Sequence, residues 1–98
     1  MFNAQEYIDN TKQKLNQYVL SRDDAIFLID EWNKRIQEYG FFSVGDVKWI
    51  LTIVPNALID YRFGWDEPIQ VGSDILENPF SLYEADFYKL NLKPCKLR

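Results

Sequence analysis

The sequence predicts a single α+β domain over residues 1–98, with two longer N-terminal helices and a short third helix packed on a small three-stranded antiparallel sheet. Three observations predict it. As far as residue 54, apolar residues recur at three- and four-residue steps, each series behind a short polar side chain able to cap a helix. Beyond Asn56, turn-forming residues become frequent and apolar residues alternate instead. The chain is 98 residues long and 47% hydrophobic, enough for one core and too short for two independent domains. Within the domain, residues 1–40 read as the helical part and residues 41–98 as a helix plus the small sheet.

The first helix should begin at Asn3. Its side chain can accept from an orphan N–H at the helix start, and Glu6 favours the positive end of the helix dipole. Ile8, Thr11, Leu15, Tyr18 and Val19 then share one face. Ser21 with Asp24 caps the second helix, whose stripe of Ala25, Leu28, Ile29, Trp32, Ile36 and Tyr39 is the stronger of the two. Gly40 stands where a helix commonly ends in a left-handed residue.

Ser43 with Asp46 is a third cap, followed by Val44, Val47, Ile50, Leu51 and Val54, with Pro55 as the expected terminator. Trp49 and Ile53 lie off that stripe. This helix is therefore either buried on more than one side or offers a surface aromatic to a partner. The β-branched run Thr52, Ile53, Val54 leaves a strand as the rival assignment for its last turn. The expected strands are Tyr61–Trp65, Ile69–Val71 and Phe87–Leu92, the last placing Tyr88, Leu90 and Leu92 on one face.

Composition excludes more chemistry than it assigns. Histidine is absent and Cys95 is the single cysteine. The usual general base near neutral pH is therefore missing, and so is the partner on which Ser and Cys nucleophiles commonly depend. One cysteine can form no intramolecular disulfide, and it supplies no zinc-ligand cluster. Asp23-Asp24, Asp30-Glu31 and Asp66-Glu67 are adjacent carboxylate pairs, but neighbouring helical residues diverge by about 100° and do not converge on one cation. Asp66, Glu67, Asp74 and Glu77 also lack the ligand order and central Gly of an EF-hand. No enzyme, metal or cofactor is expected. Met1 to Asn10 holds neither the basic region nor the apolar run of a signal peptide, and no stretch approaches the roughly 18 apolar residues of a membrane span, so the expectation is a soluble cytoplasmic chain.

Charge is the most uneven feature. The net charge is −4, and between Arg62 and Lys89 there are six acids (Asp66, Glu67, Asp74, Glu77, Glu84, Asp86) and no base. Such segregation either is compensated by neighbouring elements in space or forms a negative surface for a basic partner. Trp32 fits its helical stripe as a core anchor. Trp65, beside Gly64 and the acids, has the character of an interface anchor, and Phe80 and Tyr83 lie in the same acidic, aromatic stretch. The helix over 43–54 follows another helix after a short turn, the arrangement of a helix-turn-helix. It carries Asp46 and Lys48 and no cluster of bases, so it has little with which to neutralise phosphates.

The segment Tyr39-Gly40-Phe41-Phe42-Ser43-Val44-Gly45-Asp46 resembles the Y-G-x-x-S-V-x-D element of short, largely uncharacterised proteins of phages, prophages and integrative elements of Gram-positive bacteria. Asp60 with Gly64-Trp65 matches their D-x-x-x-G-W segment, and Tyr88, Leu90, Leu92 and Pro94 their short aromatic-rich strand with its L-x-L-x-P ending. The chain departs from them at Ile53 to Leu58, which lacks a glycine-rich link, and at Ser73 to Ala85, which reads as an insertion. The resemblance implies a mobile-element origin in a bacterial host and brings no catalytic residue. The combined expectation is a non-enzymatic accessory protein that binds another protein, host-encoded and basic, and not nucleic acid or membrane. An inhibitor of a host defence nuclease is one form of it. The expected contact residues are Trp65, Asp66, Glu67, Asp74, Glu77, Phe80, Tyr83, Glu84 and Asp86. The alternatives are a small helix-turn-helix-like DNA-binding regulator and an oligomeric structural component.

Overall fold

Asn3 accepts from the backbone N–H of Glu6 at 3.1 Å and opens helix α1, Ala4–Leu15, in the computed structural model. The structure describes residues 2–56, 58–77 and 87–97. Along the chain there follow β1 (Val19–Ser21), α2 (Arg22–Tyr39), β2 (Phe42–Ser43), α3 (Val44–Ile50), a 3-10 turn (Ile59–Tyr61), β3 (Phe63–Trp65), β4 (Ile75–Glu77), β5 (Phe87–Leu90) and β6 (Cys95–Lys96). The class is mixed α+β, as expected, but the strands form two antiparallel sheets instead of one. Their orders are β1-β5-β4 and β2-β3-β6. The chain gathers into two compact units, Met1–Phe27 with Gln70–Lys93 and Leu28–Ile69 with Pro94–Arg98, so that α2 begins in the first and continues in the second.

The first unit holds α1 and the sheet β1-β5-β4. Thr11 and Leu15 are buried from α1, as the stripe predicts, but the helix stops at Leu15 and does not extend to Val19. Asn16 explains the stop. It donates from Nδ2 to the carbonyl of Leu92 at 3.1 Å and accepts the N–H of Leu92 on Oδ1 at 2.7 Å, so one side chain pairs both backbone groups of a distant residue. The chain then leaves as β1, in register Val19 to Lys89, Leu20 to Tyr88 and Ser21 to Phe87. On the other side of β5, Ile75 faces Leu90 and Leu76 faces Lys89. Alternation therefore places Leu20, Tyr88, Leu90 and Ile75 on one face and Val19, Phe87, Lys89 and Leu76 on the other. Leu20, Ile75, Leu90 and Leu92 are buried, whereas Val19 and Phe87 are exposed.

Residues 69–71 are not a strand. Gln70 to Asp74 form a turn in which the Gln70 N–H donates to the Asp74 carboxylate at 2.8 Å and the Asp74 N–H returns to the Gln70 carbonyl at 2.8 Å. Gly72, at φ +100°, supplies the left-handed residue the turn requires. A side chain that hydrogen-bonds its own turn competes with a sheet ladder and wins here. The third strand of this sheet is consequently β4, which begins immediately after the turn.

In the second unit, Ser43 and Asp46 make a full capping box. The Asp46 N–H donates to Ser43 Oγ at 3.1 Å, and the Ser43 N–H donates to Asp46 Oδ2 at 3.0 Å. Val44, Val47 and Leu51 are buried below it, but Val54 is not on that face, because α3 ends before Pro55. The termination is a Schellman arrangement. The Thr52 N–H bonds the Trp49 carbonyl at 3.1 Å, the Ile53 N–H bonds the Lys48 carbonyl at 2.7 Å, and Thr52 takes the left-handed position at φ +59°.

Strand β3 is shorter than expected because Tyr61 belongs to the 3-10 turn, and it pairs with β2 and β6. Gly64 makes that sheet possible. A Cβ there would lie 2.1 Å from the Phe42 carbonyl oxygen and 2.7 Å from Ser43 Cα. Phe42, Phe63 and Trp32 fill the core beside it, and Leu28, Ile69 and Pro94 are also buried. Among the described residues no helix is long and apolar enough to cross a membrane.

Candidate functional site

Of the residues expected to contact a partner, Trp65, Asp66 and Glu67 fall in the second unit, and Asp74 and Glu77 in the first. Phe80, Tyr83, Glu84 and Asp86 lie outside the described residues, and Glu77 is described as backbone only. Asp74 is half-buried. Its carboxylate is occupied by the Gln70 N–H and its carbonyl by the Asn91 N–H at 2.8 Å, so it organises a turn.

Trp65 ends β3 and is half-buried, its ring 4.5 Å from that of Trp32 at an interplanar angle of 37°. Trp32 in turn stacks on Phe42 at 5.0 Å. The chain after Trp65 is tied back to α2 twice. The Trp32 Nε1–H donates to the Glu67 carbonyl at 2.9 Å, and the Ile69 N–H donates to Asn33 Oδ1 at 3.0 Å. Asp66 and Glu67 sit on the bend that leads from Trp65 into those anchors, with exposed side chains. Their backbone is thus fixed by a buried indole while both carboxylates face water, which is an acidic turn of defined shape.

The same unit presents a second surface of opposite character. Trp49 is 67% exposed, and its Nε1–H donates to the Tyr61 hydroxyl at 3.2 Å. Tyr61 is held over α3 because Gly45 carries no side chain: a Cβ there would lie 2.5 Å from Tyr61 Cε1. Val54 is 87% exposed, Leu58 75% and Tyr61 42%. Below this surface lies an ion pair. Lys48 Nζ meets Asp60 Oδ2 at 2.8 Å with the side chains 7% and 0% exposed, and the Asn56 N–H donates to the same Asp60 oxygen. Asp46, the other charge on α3, is met by Arg35 at 3.2 Å.

Trp49 is the off-stripe aromatic that helical spacing singled out. The Lys48–Asp60 pair, Asn16 and Asn33 carried no signal of their roles, since a lone Lys or Asn in a helix reads as a solvated surface residue. Among the described residues no group of three or more His, Cys, Asp or Glu is placed to hold a metal ion, and Cys95 is exposed on β6. No family model matches the chain, and no curated protein or solved structure proves similar to it.

Proposed function

We propose that this chain is a non-enzymatic accessory protein of a bacterial mobile element that acts by binding a basic, host-encoded protein. The observation that carries the reading is the acidic turn Asp66-Glu67, which follows the Trp65–Trp32 ring contact and is anchored at Glu67 by the Trp32 hydrogen bond, with the Asn33–Ile69 hydrogen bond just beyond it. Two exposed carboxylates on a fixed backbone lose little conformational freedom on docking, and a net charge of −4 adds electrostatic steering toward a basic groove. A groove evolved for nucleic acid is such a target, and occupying it would inhibit a host defence nuclease. The mobile-element origin rests on the likeness at residues 39–94.

The DNA-binding alternative needs cations on α3. Lys48 is the sole base of that helix, and its ammonium is consumed by Asp60 in the interior, so no phosphate contact remains for it.

The test is affinity capture from a Gram-positive host lysate with wild-type chain and with the double variant Asp66→Lys, Glu67→Lys. Loss of a basic partner from the variant, roughly tenfold or more, together with capture that weakens as salt is raised, is the expected outcome. Equal capture by both chains would remove the acidic turn from the contact.

A further inference from the structure

We propose that this chain associates with a second copy of itself, the outer face of the first turns of α2 on one copy seating on the open face of the sheet β1-β5-β4 on the other. Both faces belong to the first unit. Register fixes the sheet face. Lys89 on β5 stands between Val19 on β1 and Leu76 on β4, and Phe87 lies two residues from it on the same side, opposite Ser21. Leu20, Ile75 and Leu90 point the other way and are buried, so this side turns outward, with Val19, Phe87 and Lys89 exposed.

Helical spacing fixes the second face. Ala25 and Leu28 are buried, so the opposite side of α2 looks outward. Asp23, Ile26 and Phe27, at i, i+3 and i+4, share that side, and at about 100° per residue Asp23 projects between the two apolar side chains. Ile26 is 46% exposed and Phe27 54%.

Charge complementarity names the occupant. The sheet face is a base flanked by apolar side chains, and the helix face is an acid flanked by apolar side chains. Neither Lys89 nor Asp23 has an ion pair among the described residues. Each face carries the counter-charge and the apolar rim that the other lacks, so two copies pair through unlike surfaces. Both faces stand on regular elements, and the Asp24 N–H donates to Ser21 Oγ where β1 passes directly into α2, so docking orders only side chains. The inference does not rest on the acidic turn at Asp66-Glu67.

Sedimentation velocity of the purified chain over a range of concentrations tests it. The contact is small, so the expected result is a reversible self-association with a dissociation constant on the order of 100 μM, weakening as salt is raised. Asp23→Lys and Lys89→Glu should each weaken it about tenfold or more, because each sets like charges face to face. The two changes combined in one chain reverse the ion pair and should bring association back to within about threefold of wild type. Both positions are exposed, and far-UV circular dichroism checks that the variants fold. Asp66→Lys with Glu67→Lys should associate like wild type, which separates this inference from the proposed function. A wild-type chain that stays monomeric at about 1 mM would overturn the proposal. So would single variants that associate like wild type, or a double variant no tighter than either single one.

Discussion

Lys48 Nζ and Asp60 Oδ2 meet at 2.8 Å beneath the exposed surface of Trp49 and Tyr61, one from α3 and the other from the 3-10 turn. Asp60 also accepts from the Asn56 N–H, so a single carboxylate gathers the helix, the following loop and the turn. The pair therefore ties α3 to the 3-10 turn. Removing one charge leaves its partner buried and uncompensated. Lys48→Met should cost about 3–5 kcal/mol in denaturant unfolding. Replacing both residues, Lys48→Met with Asp60→Leu, should recover part of that loss, although the Asn56 N–H then loses its acceptor.

Thr52 occupies a left-handed position that a β-branched residue enters at a cost of about 1–2 kcal/mol. Glycine removes the strain but widens the unfolded ensemble. Thr52→Gly should accordingly raise stability by about 0.5–1 kcal/mol. A thermal midpoint at or below that of wild type would show that the Thr52 Oγ1–Leu51 carbonyl hydrogen bond, at 2.6 Å, outweighs the strain.

Gly64 and Gly45 are both closely approached, by different kinds of neighbour. At Gly64 the obstacle is the Phe42–Ser43 backbone, which cannot move without parting β2 from β3. Gly64→Ala should cost about 3 kcal/mol or more. At Gly45 the obstacle is the edge of the Tyr61 ring, which can swing outward. Gly45→Ala should cost less and break the Trp49–Tyr61 hydrogen bond, read as a change in Trp49 fluorescence.

Asn16 satisfies both backbone groups of Leu92, a residue 76 positions away. Asn16→Ala strands a partly buried N–H and C=O together and should cost about 2–3 kcal/mol. Amide hydrogen exchange at Leu92 should rise in the variant more than at Leu90, whose strand partner across β4 is intact.

The helices were legible because capping and periodicity act within a few residues. Asn3 with Glu6, Ser21 with Asp24 and Ser43 with Asp46 all make the hydrogen bonds their spacing implies. Gly40 closes α2 at φ +81°, as its place after Tyr39 suggests. Apolar residues at helical spacing continue past the ends of α1 and α3, so spacing alone places both stops too late. At α1 the Asn16 side chain bonds the distant Leu92 backbone, and at α3 the local Schellman closure at Thr52 turns the chain, and these decide the two stops.

Taken alone, the amino-acid sequence determined the α+β class, the three helix starts, the exclusion of histidine chemistry and the acidic bias of residues 66–86. Each is a property of local spacing or of composition. Only the tertiary structure decided that Phe63–Trp65 and Phe87–Leu90 enter different sheets, that Trp65 leans on Trp32, and that Lys48 and Asp60 cancel inside while Trp49 stays in water. Those outcomes depend on which strand partners and which buried charges meet across long separations. Short strands of similar composition encode that choice through packing and close backbone approach, as at Gly64, and not through any pattern along the chain.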